Sequence, residues 1–307
     1  MNQPRSKKVD VHGWVVLDKD FDQTSTHAVS QVRRLFNAKK GGHAGTLDPR
    51  ATGLLPIALG EATKTVPFVM DGRKTYRFTV AWGTETSTDD TEGEVTARSD
   101  LRPTREAVEA LLPRYTGTIM QVPPKFSAIK VGGERAYDLA RDGEEVVLEA
   151  RPITVDNLRL TAFSAESAEF EAECGKGTYV RAIARDIGRD LSCLGHVTAL
   201  RRTRVGPFGE DDTVTLEELR ELAEGKIAGQ TLEDALLPVE AALAEVPEVK
   251  VTRDVAARLL RGQSTILRGR DAPIEGAVWA SSAGDPIALC EVEAGELVPK
   301  RVFVFGP

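Results

Sequence analysis

Cysteine is scarce in this chain of 307 residues, and the three present are scattered. Cys174, Cys193 and Cys290 form no CxxC pair and are odd in number, which excludes a disulfide framework and a zinc site and fits a reducing cytosol. Histidine is equally thin: His12, His27, His43 and His196 show no metal-ligand spacing. No stretch of 18 apolar residues exists, so no span of a membrane is expected. The opening MNQPRSKKVD has no apolar core and does not read as a secretory signal. Repeats, a heptad seam and cofactor motifs are missing too, which makes a cofactor-free monomer in the cytoplasm the default expectation.

Excess positive charge is the last thing missing. A net charge of −7 argues at first against a polyanionic partner. The distribution alters that reading. Residues 217–249 carry nine acids against two bases, so this one segment holds the entire −7. Residues 181–204 carry Arg181, Arg185, Arg189, Arg201, Arg202 and Arg204 against Asp186 and Asp190, a local +4. Such a run is either a solvated helix face or a basic surface for RNA.

What is present reads as alternating helices and strands. His12–Leu17 is a short apolar strand. Ser25 or Thr26 can cap a helix running to about Lys39, with Val29, Val32, Leu35 and Phe36 on one face. Thr75–Trp82 alternates, placing Tyr76, Phe78, Val80 and Trp82 together. Thr84–Gly93 is a polar, acid-rich loop. Thr104 starts a helix that Pro113 stops, and Leu158–Phe163 and Ala168–Cys174 read as paired strands. Thr178–Leu194 has apolar residues at helical spacing, and Thr215-Leu-Glu-Glu218 is a capping box. A linker is expected near 240–249. Beyond it lie a helix at 253–261 and short strands at 277–279, 287–293 and 300–304.

Two stretches stand out chemically. Gly41-Gly42-His43-Ala44-Gly45-Thr46-Leu47-Asp48-Pro49-Arg50-Ala51-Thr52-Gly53 sets one carboxylate among glycines, hydroxyls and turn formers. Glycine lets a backbone approach a ligand closely, and ordering such a loop is entropically expensive. A bare Asp-Pro pair would read first as an Asx turn. Residues 120–152 open with Met120-Gln121-Val122-Pro123-Pro124, which cannot be central strand. A surface excursion follows, with a short helix at 134–141. It interleaves Lys125, Lys130, Arg135 and Arg141 with Phe126 and Tyr137, a composition suited to stacking and phosphate contacts on looped RNA.

The stretch GGHAGTLDPRATGLLPIALGEATK at 41–64 resembles the catalytic loop of the TruB family of tRNA pseudouridine-55 synthases. The resemblance covers essentially the whole chain. HGWVVLDK at 12–19 is similar to the family's opening strand, CGKGTYVRAIARDIG at 174–188 to its second diagnostic block, and 120–152 to its substrate-gripping insertion. One departure is plain: Asp20-Phe21-Asp22-Gln23 stands where the family usually has Pro-x-Gly-x, which removes a tight-turn device.

The resemblance implies an α/β (α+β) pseudouridine synthase fold, a largely antiparallel mixed sheet flanked by helices. It implies a catalytic domain over 10–240 and a small β-rich PUA-like, RNA-contacting domain over 250–307. The implied reaction isomerises uridine to pseudouridine at position 55 in the T arm of tRNA, with no cofactor, no metal and no obligate protein partner. Asp48 is then the catalytic carboxylate, Tyr76 the ring that stacks on the flipped uracil, and Arg181 the partner that orients Asp48. His43, Lys19, Lys64, Lys130, Lys176, Tyr179 and Leu200 are the implied RNA contacts. Read from the residues alone, Tyr76 and Leu200 are equally core positions, and Arg181 a surface ion pair. A non-catalytic RNA-binding protein and a guide-RNA-dependent synthase remain alternatives. A glycoside hydrolase needs a second carboxylate in a setting like that of Asp48, and none is evident in the sequence.

Overall fold

A computed structural model describes residues 7–127, 129–131, 134–135, 148–267 and 275–306. The strand Gly13–Lys19 is buried along nearly its whole length, the signature of an interior strand. It pairs antiparallel with Thr52–Leu59 and parallel with Thr213–Thr215. The sheet continues from 52–59 through Gly195–Val205, Lys74–Trp82, Ser167–Cys174 and Arg151–Phe163 to Gly117–Gln121 at the far edge. The short strands Gly41–His43 and Phe208–Gly209 attach to 52–59 and 195–205. The parallel pairs are 13–19 with 213–215 and 52–59 with 195–205, so the ten-stranded sheet is mixed and largely antiparallel, as expected.

Each helix is placed by its apolar stripe. Val180–Asp190 lays Val180, Ile183, Ala184 and Ile187 on Phe78, Val80, Trp82 and Phe170 of the sheet. Ser25–Leu35 lays Ala28, Val29 and Val32 on Val15, Leu17, Leu55 and Ile57. Each fully buried aliphatic side chain stabilises the fold by about 1.5–3 kcal/mol, so these two seams orient the helices. The first helix is capped by Thr24, whose hydroxyl accepts the His27 N–H at 3.2 Å. It stops at Leu35, four residues short of the expected end, where Asn37 turns left-handed at φ 49°.

Several expectations need correction. Strands 52–59 and 195–205 lie at the centre of the sheet, and neither was legible: one contains Pro56, the other Arg201, Arg202 and Arg204. The strand expected at 158–163 begins at Arg151. Glu134–Arg135, at the start of the expected 134–141 helix, instead pairs as a strand with Lys130–Val131; residues 136–141 lie outside the described residues. The 240–249 segment is no free linker. Val239, Ala242 and Leu243 are buried, and Glu248–Lys250 is already a strand of the second sheet.

That second sheet runs 248–250, Gly276–Ser282, Asp285–Glu293, Glu296–Val302 and Thr265–Ile266, with the helix Arg253–Leu260 packed on it through Leu259. The C-terminal region is therefore β-rich, as expected. Lys64 Nζ donates to the Val302 carbonyl at 2.8 Å, and the Val304 N–H donates to Glu61 Oε2 at 2.7 Å. Leu289 and Phe303 add apolar contacts to the cluster around Trp14.

Candidate active site

Asp48 sits in the loop between 41–43 and 52–59, and this loop is tied down from three sides. Leu47 is buried, and its N–H and carbonyl are both bonded to the Ser25 hydroxyl at 2.9 Å. Arg202, fully enclosed, donates to the carbonyls of Gly45, Thr46 and Leu54 at 3.1, 3.3 and 2.8 Å. Gly53 must be glycine here: its φ is +99°, and a Cβ would lie 2.1 Å from the Arg202 carbonyl oxygen. Lys19 is the third tie. It is fully buried, and its ammonium donates to the carbonyls of Asp20, Gln23 and Pro49 at 2.8, 2.9 and 3.3 Å.

The departure at 20–23 is absorbed by this third tie. Asp22 takes the left-handed conformation, φ 61°, that glycine would otherwise supply. Its N–H donates to the Pro49 carbonyl at 2.9 Å. The tight turn is thus kept without the Pro-x-Gly device.

Arg181 enters from the first turn of helix 180–190. Its Nε lies 2.9 Å from Asp48 Oδ2. The other guanidinium nitrogens donate to the Thr88 carbonyl at 2.8 Å and the Phe126 carbonyl at 3.0 Å, and Nη1 lies 3.6 Å from Asp90 Oδ2. The Asp48 carboxylate therefore turns to Arg181, not back to its own backbone as in an Asx turn. Its side chain stays 38% exposed while that of Arg181 is 7% exposed, so the acid faces solvent with a buried cation behind it. No hydrogen bond to Asp48 Oδ1 occurs among the described residues, so one oxygen is held and the other is available.

The space in front is a cavity of about 90 Å³ lined by Thr46, Leu47, Asp48, Tyr76, Thr178, Tyr179, Val180, Arg181 and Leu200. A larger one of about 270 Å³ adjoins it along Asp48, Pro49, Thr88, Asp90, Phe126 and Arg181. Tyr76 and Leu200 reach it because 74–82 and 195–205 are neighbouring antiparallel strands, with Tyr76 opposite Arg202 and Leu200 opposite Phe78. Both are only partly buried where the sheet core ends. Although its ring keeps some exposed surface, burial pushes the Tyr76 phenol above its usual range, against the pull of the Arg202 guanidinium. Burial raises the Tyr179 phenol as well. Both rings are therefore neutral around pH 7. The Gln121 side-chain amide brackets the Tyr179 backbone, accepting its N–H at 2.9 Å and donating to its carbonyl at 3.1 Å, which fixes the start of the Arg181 helix.

Asp48, Tyr76, Arg181, Tyr179 and Leu200 thus come together. Among the described residues, His43, Lys19, Lys64 and Lys176 are not in the lining of this cavity. His43 lies on the strand Gly41–His43 opposite Ile57 and does not line the Asp48 cavities. Lys19 is a correction as a phosphate contact, since it is fully buried with all three donors taken inside the protein; Lys64, partly exposed, is engaged by Glu61 and the Val302 carbonyl. Lys176 is exposed, 2.8 Å from Asp71. Lys130 belongs to the strand Lys130–Val131, and its side chain lies outside the described residues.

The basic face at 181–204 is corrected too. Arg185 and Arg189 pair with Asp89 and Glu85, Arg201 chelates Asp18 and also meets Glu210, and Arg204 lies 3.7 Å from Glu245. Arg181, Arg185 and Arg202 are buried, while Arg189, Arg201 and Arg204 are paired with carboxylates nearer the surface. Helix 180–190 bolts the acid-rich 84–90 segment, which opens as the strand Thr84–Thr86 rather than as the expected loop, to the site through arginines at successive turns, 181, 185 and 189. The second carboxylate missed in the sequence is in that segment. Asp90 is buried, accepts the Glu92 N–H at 2.9 Å and the Thr88 hydroxyl, and shares two cavities with Asp48. Its surroundings, TSTDDTEG, carry the same mix of hydroxyls, acids and glycine that marked the Asp48 loop. Among the described residues no group of three or more His, Cys, Asp or Glu side chains is placed to hold a metal.

Lys19 makes a pH prediction. Burial, opposed by Asp48 and Asp20, lowers its pKa from 10.5 to about 8. Between those values the unfolded chain carries the extra proton, so this group's contribution to stability increases as pH rises through that window. Urea unfolding of the parent and Lys19→Met should therefore diverge between pH 8 and 10.5, the parent gaining up to about 3 kcal/mol. A constant difference would place Lys19 in water.

Comparisons with known proteins place the whole chain. Residues 33–180 match the profile of the TruB family pseudouridylate synthase N-terminal domain, and residues 181–244 that of the tRNA pseudouridylate synthase B C-terminal domain. The chain is 63% identical over 305 residues to the tRNA pseudouridine synthase B of Bradyrhizobium diazoefficiens, covering 98% of this chain and 88% of that protein. It is 55% identical to that of Rhizobium meliloti, covering 99% of each. In fold it is similar to a chain of an H/ACA ribonucleoprotein bound to a substrate RNA containing 2′-deoxyuridine, with a TM-score of 0.74, 22% identity and coverage of 95% of this chain and 85% of that one. A chain of a Cbf5-Nop10-Gar1 complex is similar at TM-score 0.74 and 24% identity, covering 96% and 85%. With these relatives and this arrangement around Asp48, the chain belongs to the TruB family of pseudouridylate synthases.

Proposed function

We propose that this protein isomerises uridine to pseudouridine at position 55 in the T arm of tRNA, acting in the cytoplasm as a monomer without a protein partner. The observation that carries this reading is the Asp48–Arg181 pair at 2.9 Å, facing a small cavity walled by Tyr76, Tyr179 and Leu200. Relatives 55–63% identical bear the name tRNA pseudouridine synthase B, which supports tRNA as the substrate.

The reaction breaks the C1′–N1 bond, turns the base, forms C1′–C5 and moves the C5 proton to N1. Nothing is gained or lost, so no oxidant or co-substrate enters. The target base must first leave its stack, at a cost of a few kcal/mol. Tyr76 and Leu200 supply planar and apolar walls for the extruded uracil. Asp48 is the catalytic carboxylate, its Oδ2 fixed by Arg181 and its Oδ1 presented to the reacting centre. Arg181 and, behind it, Asp90 hold that geometry without reorganisation. Tyr179 meets the RNA at the pocket wall, and Lys176, Lys130 and His43 serve it outside the pocket. Residues 10–240 form the catalytic unit, 120–152 the insertion that grips the T arm, and 250–307 a small PUA-like RNA-contacting module.

Nucleotide mapping of an unmodified tRNA transcript incubated with the protein alone tests this. Conversion at position 55 only, with no additive, is the expected result. Tight binding without conversion would leave an RNA-binding protein, and conversion at several uridines would overturn the site choice.

A further inference from the structure

The geometry points to one contact beyond the reacting base. We propose that Phe21, with Arg50 stacked on one face of its ring, is a platform for an unpaired base adjacent to the uridine being isomerised. This proposal rests on reading the site as an RNA pseudouridine synthase.

Phe21 is 49% exposed at the tip of the Asp20–Gln23 turn. Single exposed hydrophobic residues are common and need no explanation. This one differs in how it is held. The Arg50 guanidinium carbon lies 5.2 Å from the ring centroid, within cation–π range. Arg50 in turn lies 3.2 Å from Asp22 Oδ1, the residue held at φ 61°. The Asp22 N–H and Lys19 Nζ both donate to the Pro49 carbonyl. The turn that carries the ring is thus tied to Pro49, and the ring itself meets Arg50, so both lie against the residues directly after Asp48.

Its direction is equally specific. Arg50 lines a recess of about 10 Å³, room for about one water, together with Asp48, Asp90, Arg181 and Leu200, so the Phe21–Arg50 pair stands beside the larger Asp48 cavities in which a flipped uridine would lie. Arg50 occupies one ring face, and the exposed face is left for a planar, weakly polar group. Among RNA components a nucleobase fits that description best, since phosphate is charged and strongly hydrated and ribose offers no flat face to stack. Arg50 then gives a base on Phe21 a cation–π-polarised stack. A neighbouring base parked there would keep the strand splayed on one side of the flipped nucleotide.

The test uses the full chain and a T-arm stem–loop RNA, intact or carrying an abasic site at either nucleotide flanking the target. On intact RNA, Phe21→Ala should raise KM and Kd roughly 5- to 150-fold, with kcat changed much less. Phe21→Trp should restore both. On RNA lacking the stacked base, the parent and Phe21→Ala should bind alike. A variant that binds all RNAs as the parent does, or that shows the same penalty with and without each flanking base, overturns the platform. Melting temperature checks that Phe21→Ala is folded. If the parent itself makes no pseudouridine, the reaction reading fails; the Kd comparison still decides the platform.

Discussion

Asp48→Asn is expected to lower pseudouridine formation roughly 10⁴-fold or more while leaving tRNA affinity within a few-fold, by analogy with removal of a reacting group elsewhere. The amide keeps the shape of the carboxylate, so the loop ties at Ser25, Arg202 and Lys19 are untouched. It removes the charge and the nucleophilic or basic oxygen that the reaction requires. Stability should change little, because the side chain is 38% exposed. Single-turnover conversion and filter binding on the same transcript separate the two effects. Turnover within ten-fold of the parent would remove Asp48 from the chemistry. A parallel loss of binding would make it an RNA contact instead.

Arg181→Met carries the second large effect, and here stability and turnover should fall together. One guanidinium ties three separate segments: the Asp48 loop, the 88–90 loop, and Phe126 at the root of the insertion. Methionine fills similar space but leaves Asp90 buried without its cation, which typically costs about 3–5 kcal/mol. Loss of the Asp48 partner should lower turnover by about 10²–10³-fold, the effect of removing one preorganised donor at a reacting group. Arg181→Lys separates these contributions. It restores a charge near Asp90 but not the planar fork, so stability should recover further than turnover. A lysine variant with parental turnover would show that charge alone positions Asp48. A stable Arg181→Met protein would show that Asp90 does not depend on the guanidinium. Denaturant unfolding and initial rates read both.

The sequence by itself determined the family, the Asp48 loop, the alternating 75–82 strand and an amphipathic helix within 178–194, which the structure confines to Val180–Asp190. Each depends on neighbours a few residues apart. Ring, hydroxyl and glycine patterns at that range are legible because local backbone geometry and side-chain periodicity dictate them. Even the turn at 20–23 was correctly located, although how it would close without Pro and Gly was not.

Tertiary structure decided everything that depended on a distant partner. Arg201 meets Asp18 across 183 residues, and Arg202 reaches Gly45 across 157. A charge count adds these arginines into a basic patch, whereas the fold spends them on carboxylates and carbonyls. Lys19 has the composition of a phosphate contact and is instead an internal clamp, because three carbonyls converge where its strand ends. Strands 52–59 and 195–205 were hidden for a related reason: one carries a proline and the other three arginines, and only the sheet around them shows that both are satisfied there. Asp90 became visible as part of the site once helix 180–190 brought Arg181 against it. Whether a charge faces solvent, substrate or another charge is settled by desolvation and pairing over long chain separations, and linear order does not encode those distances.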